Sequence, residues 1–197
     1  MWWIMMIAMM LPSATPTILL SAALNRRSRN DIPPYGSAAL FTLGYLLAWA
    51  LFSLAAALLH WLLEQAGLLS MLMESASRIL TGLLLILAGA WQFTPYKNAC
   101  LEHCQSPVDF LVRHRRPGNW GALRMGLHHG YYCLGCCWFL MVLLFVGGVM
   151  NLYWIIGLAA YVFLEKMLVQ TKWLVRISGL VLLVAGIMLL AGLPGWR

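Results

Sequence analysis

Acidic side chains are scarce in this 197-residue chain: six Asp and Glu stand against thirteen Lys and Arg, and charged residues of both signs reach only 10%. A soluble domain carries about 25% charged and 45–50% apolar residues, whereas 62% of this chain is hydrophobic. So little charge excludes an ordinary water-facing surface and points to a lipid bilayer as the surrounding medium. There is no Ser/Pro-rich linker, low-complexity tract or internal repeat, so residues 1–197 read as a single transmembrane domain. Gly-rich phosphate loops, a paired Ser/His/Asp set and a Cys-x-x-Cys-His haem run are also missing. Without them the chain reads as a carrier more than as an enzyme.

What is present is a series of long uncharged runs: Ile32 to Leu63, Ile79 to Tyr96, Met125 to Leu164 and Ile177 to Trp196. Each supplies the ~20 residues that a helix needs to cross lipid. The third run divides at Gly147-Gly148-Val149-Met150-Asn151, where a turn is expected. With the N-terminal stretch Met1 to Leu24, about six spans follow, at 1–24, 37–63, 78–95, 131–150, 152–170 and 173–193. Backbone groups in lipid must pair internally, and no barrel-like alternation of period two is present. The expected fold is therefore all-α, a polytopic membrane helical bundle. Residues 1–24 also carry Ala22-Ala23, as a signal peptide would, but basic residues follow the apolar stretch rather than precede it, so it reads as a retained span. Pro12 and Pro16 are expected to kink it.

The net charge of +7 would suit nucleic acid, but its distribution argues against that partner. Eleven of the thirteen basic residues fall on one side: Arg26, Arg27 and Arg29, then Lys97, Arg113, Arg115, Arg116 and Arg124, then Lys166, Lys172 and Arg176. By the positive-inside rule these segments are cytoplasmic and both termini lie outside. The stretch 96–130 then reads as a cytoplasmic loop, loosened by Gly118, Gly121, Gly126 and Gly130.

All five cysteines lie between Cys100 and Cys137, as Cys100-x-x-His103-Cys104 and His129-x-x-x-Cys133-x-x-Cys136-Cys137. In a reducing cytoplasm disulfides are the poorer explanation. Thiolate and imidazole are soft-metal ligands, and spacings of three and four place them on one helical face. Thr94-Pro95 resembles a helix start and Pro107 a stop, which sets Cys100 and Cys104 one turn apart. Cys100, Cys104, His129, Cys133, Cys136 and Cys137 are the candidate ligands, with His103 beside them and Met141 one turn deeper. Each cysteine taken alone also suits plain packing. His60 beside Trp61 reads as an interfacial residue, and His114 as part of a solvated basic run.

Four of these cysteines would suffice for structural zinc. Copper gains from Met1, Met5, Met6, Met9 and Met10, because thioethers bind Cu(I) and are poor zinc ligands. Met5 and Met9 are therefore further candidate ligands, opposed by the use of methionine as apolar filler. Glu165, expensive at membrane depth, is read as a proton relay, a support of the metal site or an ion pair with Lys172 or Arg176. Lys166 is expected to snorkel. Gln92, Thr94 and Lys97 lie where they would support a site, and Asn151 reads as turn chemistry.

The runs Met6-Ile7-Ala8-Met9-Met10-Leu11-Pro12-Ser13, Thr94-Pro95-Tyr96-Lys97 with Cys100 and Cys104, His129-Gly130-Tyr131-Tyr132-Cys133-Leu134-Gly135-Cys136-Cys137-Trp138, Gly148-Val149-Met150-Asn151-Leu152 and Glu165-Lys166 together resemble a family of predicted metal-binding integral membrane proteins, classed as a domain of unknown function. The likeness spans nearly the whole chain. It implies a bacterial multi-pass inner-membrane protein that binds metal at these positions, with a further hydrophobic segment ahead of the AMMLP run in other members. His128 stands where the family more often has a basic residue. The leading expectation is Cu(I) carriage or delivery. The alternatives are a membrane redox protein working through the metal or the Cys136-Cys137 pair, and a scaffold with structural zinc. A homodimer or a metal-delivery partner is the expected protein partner.

Overall fold

The computed structural model describes residues 1–27, 34–67, 78–106, 108, 111, 119–168 and 172–192, and the regular structure among them is helical. The elements are α1 (Trp2–Arg27), α2 (Pro34–Gln65), α3 (Arg78–Gln92), α4 (Pro95–Gln105), α5 (Asn119–Val142), the short α6 (Leu144–Gly147), α7 (Leu152–Met167) and α8 (Lys172–Leu190). Arg29, the run from Arg113 to Arg116 with His114, and Arg197 lie outside the described residues.

Where six spans were expected, four described helices are long and apolar enough to cross a membrane: Trp2–Ala23, Ala38–Gln65, Asn119–Gly147 and Lys172–Leu190. The α3–α4 pair, bent by 65°, makes up to five. The shortfall is one of length. α7 has sixteen residues, which reach about 24 Å at 1.5 Å per residue, less than the ~30 Å hydrocarbon core.

The chain forms two compact units, one of residues 1–55 and 99–136, the other of residues 56–98 and 137–197. In the first, α2 carries Phe41, Tyr45, Trp49 and Ser53 at intervals of four, one straight stripe on a helix, and all four are buried. Leu43, Leu47, Leu51 and Leu54 on its other faces are exposed. Glycine brings α2 against α5. A Cβ on Gly126 would strike the Phe41 carbonyl, one on Gly44 the Leu123 carbonyl, and one on Gly130 would sit 2.6 Å from the Ala48 Cβ. These two backbones therefore touch directly, as small residues permit. Within 96–130, α4 occupies the start as the Pro95 signal predicts, but the backbone expected to be loose is helical from Asn119 onward, in α5. Gly126 and Gly130 serve as contact surface inside a helix instead of as hinges.

In the second unit α3 packs along α8 through a similar device. Cβ atoms added at Gly89 and Gly186 would lie 2.9 Å from the carbonyl oxygens of Gly179 and Gly82. The expected turn is present: Gly148 takes φ +86, and the Asn151 side chain accepts a hydrogen bond from the Trp154 N–H at 3.3 Å as the N-cap of α7. Asn151→Ala should cost about 1 kcal/mol. A melting temperature indistinguishable from wild type would remove the capping role.

Candidate metal centre

The thiols of the first unit sit on two helices. α4 places Cys100 and Cys104 one turn apart, as the spacing predicts, with Cys100 buried and Cys104 half-buried. α5 carries His129, Cys133 and Cys136 in the core, with Cys133 1% and Cys136 0% exposed. None of the five cysteines is disulfide-bonded, the Cys136-Cys137 pair included. Cys136 points its thiol at the Cys133 carbonyl, 3.1 Å away.

Tyr45 of α2 ties this helix to α1. Its hydroxyl donates to the Met10 carbonyl oxygen at 3.2 Å and lies 3.2 Å from the Cys133 Sγ. The His129 ring is held between Phe41 and Tyr45, with ring centroids 5.8 Å and 5.9 Å away. The four-residue spacing from Phe41 to Ser53 is the sequence signal for this aromatic clasp, whose residues carry no metal-ligand chemistry of their own. On α1, Met6 and Met10 are fully buried and Met9 nearly so. Met5 is half-buried and Met1 exposed. The best-enclosed thioethers thus include the second pair of the methionine array, Met6 and Met10.

The two Cys/His segments meet through aromatic contact. The His103 ring stacks on Tyr132, next in sequence to Cys133, with centroids 4.4 Å apart and planes at 10°. Its Nδ1 lies 2.8 Å from the Ala99 carbonyl oxygen. A carbonyl only accepts, so Nδ1 carries a proton, and Nε2 is the nitrogen that a neutral ring would offer to a ligand. His128 is exposed and meets the same tyrosine edge-on. Among the described residues no three His, Cys, Asp or Glu side chains stand together as a ready metal cage. The residues present still suit a soft monovalent ion, because Cu(I) accepts few ligands and prefers sulfur, and buried sulfur is what α1 and α5 supply.

The polar residues expected to support the site gather in the second unit. Lys97 and Glu165 form an ion pair with N–O 2.6 Å and side chains 0% and 1% exposed. Lys97 also donates to Gln92 Oε1, while Gln92 Nε2 reaches Tyr161 Oη at 3.5 Å and that hydroxyl lies 2.6 Å from Ser178 Oγ. Three expectations are corrected here. Glu165 has Lys97 as an ion-pair partner where Lys172 or Arg176 was expected, Lys97 is a core cation and not a loop charge, and Lys166 is buried where snorkelling was expected. The 65° bend between α3 and α4 turns Lys97 back toward Gln92. Met141 is fully buried in the same unit, and His60 packs its ring against Phe145 at 5.8 Å.

No curated protein and no solved structure gives a significant match to the chain. The family model of PpoB2, described as a copper chaperone, matches residues 1–189, and the chain belongs to that family.

Proposed function

We propose that this chain is a copper chaperone seated in a bacterial cytoplasmic membrane, with Cu(I) as its cargo and the sulfur groups of α1 and α5 as the carriers. The observation that carries this reading is the Tyr45 hydroxyl, 3.2 Å from both the Met10 carbonyl and the Cys133 sulfur. It brings the methionine-rich turn and the cysteine turn to one point in the core of the first unit. Thioether and thiolate together select Cu(I) over harder ions. Cys133 and Cys136 are the principal donors, with His129, Cys100, Cys104 and His103 as further donors of the cluster. Met6, Met9 and Met10, with Met5 at the rim, form the thioether side from which the ion is received or passed on.

Membrane insertion is supported by four apolar helices of spanning length and by the exposed leucines along α2 and α8, which water would penalise and lipid would not. Both termini are placed outside and the basic segments inside. Lys97 and Lys166, both buried, drop out of that charge balance, and its direction is unchanged. Delivery to a recipient protein follows from the chaperone role, since a carried ion must be released.

The test is copper content. Protein purified in detergent under reducing conditions and loaded with Cu(I) should retain the metal after mild chelation, and a Cys133→Ser/Cys136→Ser/Cys137→Ser variant should lose most of it. Equal copper in both, or zinc retained in preference to copper by wild type, sinks the reading.

A further inference from the structure

Granting copper at Cys133, as proposed above, the Tyr45 hydroxyl stands beside a sulfur whose proton is lost on binding. A phenol has one proton and two lone pairs. That proton is donated to the Met10 carbonyl, which leaves an oxygen lone pair facing the Cys133 thiol. When Cu(I) binds, the Cys133 S–H bond breaks, a Cu–S bond forms and the proton leaves for bulk water. The sulfur then has no hydrogen and becomes an acceptor. In the same place the Met10 carbonyl also accepts from Ser13 Oγ at 2.9 Å. It therefore keeps a side-chain donor if Tyr45 turns away.

We infer that Tyr45 is a positioning residue of the copper site, whose hydroxyl accepts from the Cys133 thiol in the free protein and donates to the Cys133 sulfur when copper is bound. The phenol keeps its own proton in both states, and only the direction of one hydrogen bond reverses. Two observations make this the built purpose of the residue and not a packing accident. Tyr45 is 0% exposed, so its hydroxyl is turned to protein groups and not to water. Its ring is also held by Trp49 on one side, centroids 6.5 Å apart, and by His129 at 5.9 Å, which fixes where the hydroxyl points. Outer groups of this kind orient ligands and tune metal affinity by about 10–100-fold.

The experiment compares wild type, Tyr45→Phe, Cys133→Ser and the double variant, each purified in detergent without oxygen and titrated with Cu(I) against a chromophoric chelator of known affinity. Phe keeps the ring, its packing and the apolar fit, so helical content and elution volume should match wild type. The expected result is about 10–100-fold weaker Cu(I) binding by Tyr45→Phe, a displaced sulfur-to-copper absorption band, and no further loss when the change is added to Cys133→Ser. The band is the readout that a purely structural role would leave in place. If Cys133→Ser weakens binding and Tyr45→Phe matches wild type in affinity and spectrum, this inference fails and the copper assignment stands. If the two losses simply add, Tyr45 acts elsewhere and the inference fails as well. Wild-type affinity in Cys133→Ser overturns the role of Tyr45 together with that of its ligand, and a wild type that binds no Cu(I) overturns the proposed function itself.

Discussion

Lys97→Met is expected to destabilise the protein by about 3–5 kcal/mol, the cost of leaving one member of a buried ion pair without its partner. The pair is fully enclosed, at 0% and 1% exposure, with N–O 2.6 Å. Met has nearly the length of Lys, so packing is preserved and the effect isolates the charge. Glu165→Leu should cost a similar amount, because it strands the ammonium. The double variant is the informative one: replacing a buried pair by apolar side chains is often neutral or stabilising, so Lys97→Met/Glu165→Leu should melt at or above wild type. Thermal unfolding of the four proteins in one detergent provides the check. Single variants that melt like wild type would mean that the pair is solvated. A double variant as unstable as the singles would mean that Gln92, Tyr161 and Ser178 depend on the charges for their own order.

The same pair shows where sequence reading reached and where it stopped. Apolar runs gave the helices, because hydrophobicity over some twenty residues is a local property. The α4 start at Pro95 and the Asn151 cap were legible for the same reason, since a missing N–H and a short acceptor side chain act within one turn. Lys97 was misread because its partner lies 68 positions away on α7; a lysine at the end of an apolar run looks the same whether it meets water or a carboxylate. Cys133 and His129 were singled out by residue type. Tyr45, which touches Cys133, bears no metal-ligand signature, and the stripe that it shares with Phe41 and Trp49 is also what plain core packing produces. The glycines were the clearest ambiguity. Gly126 and Gly130 stand four apart, a spacing that suits both a loosened backbone and two helices touching. Only the presence of α2 beside them decides which.

That decision carries the second large expectation, because one chemical change should act with opposite sign at two glycines. Gly157 lies in α7 with no atom within 4 Å of an added Cβ, so Gly157→Ala gains helix propensity alone and should stabilise by about 0.8–1 kcal/mol. Gly126→Ala gains the same propensity, yet its methyl would be driven into the Phe41 carbonyl, and the Phe41 carbon and Cα lie directly behind it. Backbone cannot swing aside as a side-chain tip can, so α2 and α5 must part. Forced overpacking costs about 1–3 kcal/mol or more, which outweighs the propensity gain. The consequence extends beyond stability. Separating these helices draws Tyr45 away from Cys133, so Gly126→Ala should also lose Cu(I) affinity, whereas Gly157→Ala should bind as wild type does. Melting temperature and Cu(I) titration of the two variants in parallel test both halves. If Gly126→Ala melts as high as Gly157→Ala and binds copper equally well, then α2 and α5 do not touch at Gly126, and the alignment of Tyr45 with Cys133 loses its foundation.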